Sequence, residues 1–227
     1  MITNQLIECL ASFAISIMTS SSVSQQLIRP IKSCVNTIVA PKSSILTPDG
    51  AKKAIFAAGC FWGVENMYRK QFLGKGIYDT RVGYIGGNTQ DPTYRTVSTG
   101  RTGHAEAVLM TYDPNELTYR QLVEFFYKIH DPTTINQQGY DIGTQYRSAI
   151  FYYDKEQEEM ARSLTARIEK CWHTRGIKTQ ILPAGEWWDA EDYHQQYLDK
   201  NKDGYECYSH KVRKFASLEE CEEREKE

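Results

Sequence analysis

The residues able to do chemistry in this chain begin with a cysteine where an apolar strand gives way to a helix. In AAGCFWGVEN, residues 57–66, Cys60 lies between Gly59 and two large rings, Phe61 and Trp62, followed by Gly63. A cysteine in the first turn of a helix meets unpaired backbone N–H groups and the positive end of the helix dipole. Both favour the thiolate, so the seat predicts a lowered pKa and a reactive sulfur. Gly59 permits a sharp turn and Gly63 a close approach, and the two rings suit an apolar wall beside the sulfur. The competing reading is a packed cysteine at a tight junction with two core aromatics, and GCFWG alone does not decide between them.

Glu106 is the second candidate. In GHAEAVLMTY the period of two puts Glu106, Val108, Met110 and Tyr112 on one face of a strand, with Ala105, Ala107 and Leu109 on the other. Either register surrounds the carboxyl with apolar groups. Desolvation then raises its pKa and makes it a proton donor near neutral pH. A salt bridge to Arg101 or Arg81 is the alternative. Two tyrosines, Tyr94 in GGNTQDPTYR and Tyr146 in GYDIGTQYRS, sit in polar, glycine-punctuated loops. A phenol there can hydrogen-bond a polar ligand atom, although surface tyrosines are common.

Alternating elements must position these groups. KAIFAA (53–58) reads as a short buried strand, and a helix runs from Phe61 to about Phe72, stopping before Gly74 and Gly76. IYDTRVGYI (77–85) alternates as a strand, a polar loop follows, and HAEAVLMTYD (104–113) is the next strand. In TYRQLVEFFYKIHDP, Thr118 and Gln121 form a capping box and Pro132 ends the helix. SAIFYY (148–153) is a strand; Asp154 caps a helix with Met160, Leu164, Ile168 and Trp172 spaced by four; IKTQIL (177–182) is another strand. The order β-α-β-β-α-β with an appended α-β predicts an α+β fold: a two-layer sandwich around a split βαβ, ferredoxin-like mixed sheet. An irregular, aromatic C-terminal segment follows, and SLEECEEREKE (217–227) reads as a frayed, solvated tail.

Composition narrows the function classes. The chain has 227 residues, 41% hydrophobic and 25% charged, with a formal net charge of -2. That balance gives no electrostatic reason to expect nucleic acid or an anionic membrane as partner. No apolar run reaches the roughly 18 residues a membrane-spanning helix needs. The six cysteines, Cys9, Cys34, Cys60, Cys171, Cys207 and Cys221, are widely spaced and form no C-x-x-C, so they read as mostly reduced. Residues 1–50 carry no acid between Glu8 and Asp49 and few cations, and are expected to be a disordered or targeting extension. The domain division is 1–50, 51–208 and a charged tail at 209–227. The expected compartment is cytoplasmic or mitochondrial.

GCFWG (59–63), GGNTQDPTY (86–94), TGHAEAV (102–108), GYDIGTQYRSAI (139–150) and AEDYHQQYL (190–198) together resemble peptide methionine-S-sulfoxide reductases of the MsrA type. The matching motifs occur in the family's order and span roughly residues 53–208. The resemblance implies reduction of methionine-S-sulfoxide, free or in oxidised proteins, to methionine. It assigns Cys60 as nucleophile, Glu106 as the acid that protonates the sulfoxide oxygen, and Tyr94 and Tyr146 as donors to that oxygen. Asp141 belongs to the same site through water, and Phe61 and Trp62 hold the substrate methyl. Cys60 is left as a sulfenic acid, which Cys207 in GYECYSH, the recycling cysteine, resolves as a mobile thiol in a flexible tail. Thioredoxin, or dithiothreitol in its place, is the reductant; no cofactor and no metal are implied, and the chain is expected to act as a monomer. Cys221 matches nothing in the family, its glutamate neighbours should slow it, and Cys171 is expected in the core. Two other readings stand beside this one. A cysteine hydrolase would use His104 or His194 as base, and an inactive sulfoxide-binding homologue would keep the pocket without turnover.

Overall fold

A computed structural model describes residues 44–224. The expectations for the extension, including Cys9 and Cys34, lie almost wholly outside the described residues. In chain order the first elements are β1 (Lys52–Ala58), α1 (Phe61–Phe72), β2 (Ile77–Ile85), α2 (Tyr94–Val97), β3 (Ala105–Tyr112) and α3 (Tyr119–Ile129). A two-strand ribbon, β4 (Gln137–Gln138) and β5 (Asp141–Ile142), leads to β6 (Ser148–Tyr152), α4 (Lys155–Cys171), β7 (Gln180–Pro183) and β8 (Trp187–Asp189). Two short helices close the series, α5 (Tyr197–Lys200) and α6 (Leu218–Arg224).

The main sheet has the order β7-β6-β1-β3-β2-β8. Only the β6–β7 pair is parallel, so the sheet is mixed and the fold is α+β. Its centre is buried on both faces, which explains why β1 and β3 read as nearly continuous apolar runs. Phe56, Val108, Met110 and Tyr112 face the helices and meet Tyr68 of α1, Phe126 of α3 and Leu164 and Ile168 of α4. Ile55, Ala57, Leu109 and Phe151 face the other way, against Ile45 and Leu182. The register sets Tyr84 of β2 opposite Glu106 of β3. That places Glu106 on the helix-covered face, at the end of the sheet where β1 runs into α1.

The helix signals act through local chemistry. The Thr118 hydroxyl accepts from Gln121 N at 3.2 Å, and the Gln121 side chain accepts from Thr118 N at 2.9 Å. Asp154 caps α4 by accepting from Gln157 N at 2.8 Å. The buried stripe of α4 is Gln157, Ala161, Leu164 and Ile168, and Met160 is exposed. A strict spacing of four drifts by about 40° per step around a helix of 3.6 residues per turn, which carries Met160 off the face that holds Ile168. The strand expected at 177–182 begins at Gln180, because Ile177 N is drawn to Glu169 at 2.7 Å and Lys178 N to the Pro132 carbonyl at 2.7 Å.

The C-terminal stretch corrects the sequence reading. Residues 218–224 form α6 rather than a frayed end, and Cys221 is disulfide-bonded to Cys171 at the end of α4. Neither is a free thiol. Glu219 pairs with Arg120 of α3 at 2.7 Å, Trp172 stacks on Phe215, and its ring N–H donates to the Ala216 carbonyl at 3.0 Å. The bridge joins residues 50 apart in sequence. Closing a loop of that length removes unfolded-state entropy worth on the order of 2–4 kcal/mol. Cys221→Ser is therefore expected to lower the unfolding free energy by that amount under non-reducing conditions and to change nothing once dithiothreitol is present. Denaturant melts in the two conditions check it.

Candidate active site

The site grows from the junction of β1 and α1. Gly59 takes a left-handed φ of 97°, which lets the chain reverse into the helix. Cys60 is the N-cap residue and offers no side-chain cap of its own. Glu106 from β3 serves the helix end instead: its carboxyl accepts from Phe61 N at 3.1 Å. A cavity of about 250 Å³ opens there, lined by Cys60, Phe61, Trp62, Tyr94, Glu106, Asp141, Tyr146 and Tyr205. Seven of these eight come from the sequence expectation; Tyr205 is the addition.

The electrostatics overturn one expectation. The Cys60 thiol lies well above its ordinary pKa, not below it. Burial is the largest cause, and the neighbouring Glu106 and Asp141 add to it; the backbone N–H groups of Trp62 and Gly63 pull the other way and lose. Cys60 is only 7% exposed, so loss of water outweighs the helix end. Glu106 follows the expected direction. It is 2% exposed, and burial pushes its pKa up to about 8 against the opposing Phe61 hydrogen bond. Neither Arg81 nor Arg101 forms an ion pair with it: Arg81 pairs with Asp189 at 3.1 Å. At neutral pH the site therefore holds a thiol beside a protonated carboxyl. Burial, and then the charge of Glu106, raises the pKa of Tyr94 and of Tyr146, so both phenols keep their protons.

A set of residues, of which only Trp62 and His194 were picked out individually from the sequence, holds this cavity in shape. Glu191 accepts from Tyr94 N at 2.8 Å and from the Tyr84 hydroxyl at 2.9 Å. Trp62 donates its ring N–H to His194 Nδ1 at 3.0 Å and stacks on Tyr197 with centroids 3.8 Å apart. Gln195 bonds both the N–H and the carbonyl of Val82 at 2.9 Å, stitching AEDYHQQYL to β2. The clustering of these residues in one motif was the available signal; their individual tasks depend on contacts 97 or more residues apart. Both histidines proposed as hydrolase bases have other partners. His194 Nδ1 is occupied by Trp62, and His104 bonds Gly87 N at 3.2 Å and the Thr89 carbonyl at 2.8 Å.

Cys207 departs from the picture of a mobile thiol. It is 1% exposed, in a turn closed by His210 N donating to its carbonyl at 2.9 Å. Its sulfur meets the Gln138 carbonyl at 3.4 Å and the Ser209 hydroxyl at 3.5 Å. Tyr205, two residues earlier, donates to Asp141 at 2.9 Å, so the arm that carries Cys207 closes one side of the cavity. Cys207 itself is not among the residues that line the cavity. No group of three or more His, Cys, Asp or Glu side chains with metal-site geometry occurs among the described residues. Nor is any helix among them long and apolar enough to cross a membrane.

Comparison with known proteins agrees with this arrangement. The family model for peptide methionine sulfoxide reductase matches residues 52–226. A probable peptide methionine sulfoxide reductase from Schizosaccharomyces pombe is 54% identical over 162 residues, covering 70% of this chain and 95% of that relative. The crystal structure of Mxr1 from Saccharomyces cerevisiae in reduced form superposes with a TM-score of 0.73 at 40% identity, covering 76% of this chain and 98% of that one. Mxr1 in complex with Trx2 gives 0.54 at 27% identity, with 76% and 97% covered. A sequence match across the catalytic region and a shared fold at 40% identity leave one assignment: the chain belongs to the peptide methionine sulfoxide reductase family, of the MsrA type.

Proposed function

We propose that the protein reduces methionine-S-sulfoxide, free or within oxidised proteins, to methionine. The observation that carries this reading is the convergence of one thiol, one protonated carboxyl, three phenols and two apolar rings on a single small cavity. A sulfoxide presents a polar oxygen and an apolar methyl on the same sulfur. The Tyr94 and Tyr146 hydroxyls suit the oxygen, and Phe61 and Trp62 suit the methyl. Cys60 attacks the sulfoxide sulfur while Glu106 hands its proton to the oxygen, where charge builds in the transition state. The oxygen then passes to Cys60 as both its bond to the methionine sulfur and the transient bond between the two sulfurs break. Thiol and sulfoxide become sulfenic acid and thioether, and the proton lost by the thiol replaces the one Glu106 gave up. Asp141, tied to Tyr205, completes the polar side.

Cys207 then displaces the sulfenic oxygen as water and forms a disulfide with Cys60. A dithiol of the thioredoxin kind reopens it by exchange, a partnership favoured by the complex between Mxr1 and Trx2. That chemistry suits a reducing compartment, cytoplasmic or mitochondrial, and a chain working as a monomer with no bound cofactor. The sheet order also favours the finer fold reading. β1 and β2 each pair antiparallel with β3, which lies between them, and β6 flanks β1, the arrangement of a ferredoxin-like split βαβ. The test of function is stereochemical. With dithiothreitol as reductant, the S epimer of methionine sulfoxide is expected to yield methionine and the R epimer to remain. Equal consumption of both epimers, or none of either, contradicts the reading.

A further inference from the structure

We propose that His210 is a positioning residue that latches the Cys207 arm onto the β1–α1 junction that carries Cys60, a role that rests on the reading of Cys207 as the resolving thiol. The ring lies against the residues that flank the nucleophile. Its Nε2 is 2.7 Å from the Ala58 carbonyl, two residues before Cys60. A carbonyl only accepts, so Nε2 carries the proton and donates. Nδ1 is then a bare acceptor; it is buried and has no hydrogen-bond partner. Leaving such an atom unpaired carries a cost, which the site tolerates for the sake of the ring's position.

Both glycines of GCFWG make room for that ring. A Cβ on Gly63 would stand 2.3 Å from His210 Nδ1. One on Gly59 would stand 2.7 Å from the Gln138 side chain and 3.2 Å from His210 Nε2. The sequence reading gave these glycines to the turn and to close approach at the thiol; the close approach includes the imidazole of the arm. Two residues, Tyr208 and Ser209, separate His210 from Cys207, and the hydrogen bond from His210 N to the Cys207 carbonyl makes them one turn. Where the ring is held, the sulfur is held too. Burial keeps the imidazole neutral, which suits a fixed donor to a carbonyl. Beyond the ring the chain continues along α3, with Lys211 N and Arg213 N donating to the carbonyls of Ile129 and Lys128.

The step this latch serves is the one in which the Cys207 thiol attacks the Cys60 sulfenic acid. A sulfur–sulfur bond forms, and the oxygen leaves as water with the thiol proton. Its rate depends on how much of the time the second sulfur is held close to the first. His210 touches neither the substrate cavity nor the sulfoxide, so the first step should not depend on it.

The test is a rapid-quench single turnover of the full chain without reductant, following methionine release and the Cys60–Cys207 crosslink separately. In His210→Ala, one methionine per chain is expected at the wild-type rate, with the crosslink forming at least about 10-fold more slowly. The Cys60 sulfenic acid then accumulates and is trapped by dimedone. In His210→Gln, whose amide N–H reaches the same carbonyl, the crosslink rate is expected to return to within about 3-fold of wild type. A wild-type crosslink rate in His210→Ala overturns the proposal. So does a parallel slowing of methionine release, which marks a general structural role, or a Gln variant as slow as Ala. A wild-type chain that never crosslinks Cys60 to Cys207 sinks the assignment of Cys207 itself, a distinct outcome.

Discussion

Cys60→Ser is expected to leave no detectable reduction of methionine-S-sulfoxide, while the fold and the cavity persist. Serine is nearly isosteric, and Cys60 makes no side-chain capping bond whose loss would unravel α1. The Glu106 bond to Phe61 N stays in place. What disappears is the only atom in the cavity able to accept the sulfoxide oxygen by changing its oxidation state. A serine hydroxyl has no counterpart to the sulfenic acid, so the loss is complete rather than a slowing by a few powers of ten. Thermal melts should stay close to those of the wild type. Methionine formed by the variant above the background with dithiothreitol alone removes Cys60 from the mechanism.

Glu106→Gln is expected to slow the sulfoxide step by roughly 10²–10⁴-fold, the range for a lost general acid. Gln keeps an acceptor for Phe61 N and the same shape, but it has no proton to give. The pH dependence supplies the sign. Burial raises the Glu106 pKa to about 8, so the group holds its proton below that value and loses it as pH rises through it. The first step in the wild type should therefore be fast at neutral pH and fall above about pH 8. That fall should vanish in the Gln variant. A second readout follows from the neighbouring thiol. The charge of Glu106 is one cause of the raised Cys60 pKa, so its removal should make the sulfur easier to ionise and faster to alkylate at alkaline pH. A Gln variant with a wild-type rate, or one that still shows the fall near pH 8, contradicts the role of Glu106 as acid.

How legible all this was in the sequence depended on the range of the forces involved. The capping box at Thr118 and Gln121, the alternation of IYDTRVGYI and the continuous apolar run of β1 are local, and their elements appear where expected. The burial of Glu106 was also readable, because both faces of its strand are apolar. The sign at Cys60 was not. A helix end lowers a thiol pKa and burial raises it, and the winner depends on how Glu106, Asp141 and the aromatic walls close over the sulfur from distant parts of the chain. The Cys171–Cys221 bridge and α6 were missed for a similar reason. SLEECEEREKE looks like a solvated charge run until Arg120 and Arg167 are placed beside Glu219 and Glu222. The work of Glu191, His194 and His210 likewise exists only once β2, α1 and the C-terminal arm are packed together.

The central claim is that a buried thiol, kept protonated next to a proton-bearing carboxyl, takes an oxygen atom from a sulfoxide without help from outside the chain. Peptide mass mapping after one exposure to methionine-S-sulfoxide in the absence of any reductant tests it most directly. One methionine per chain, with Cys60 joined to Cys207 and the Cys171–Cys221 bridge untouched, is the expected result. No methionine, an oxygen retained on some other residue, or a new link from Cys60 to Cys221 would contradict it.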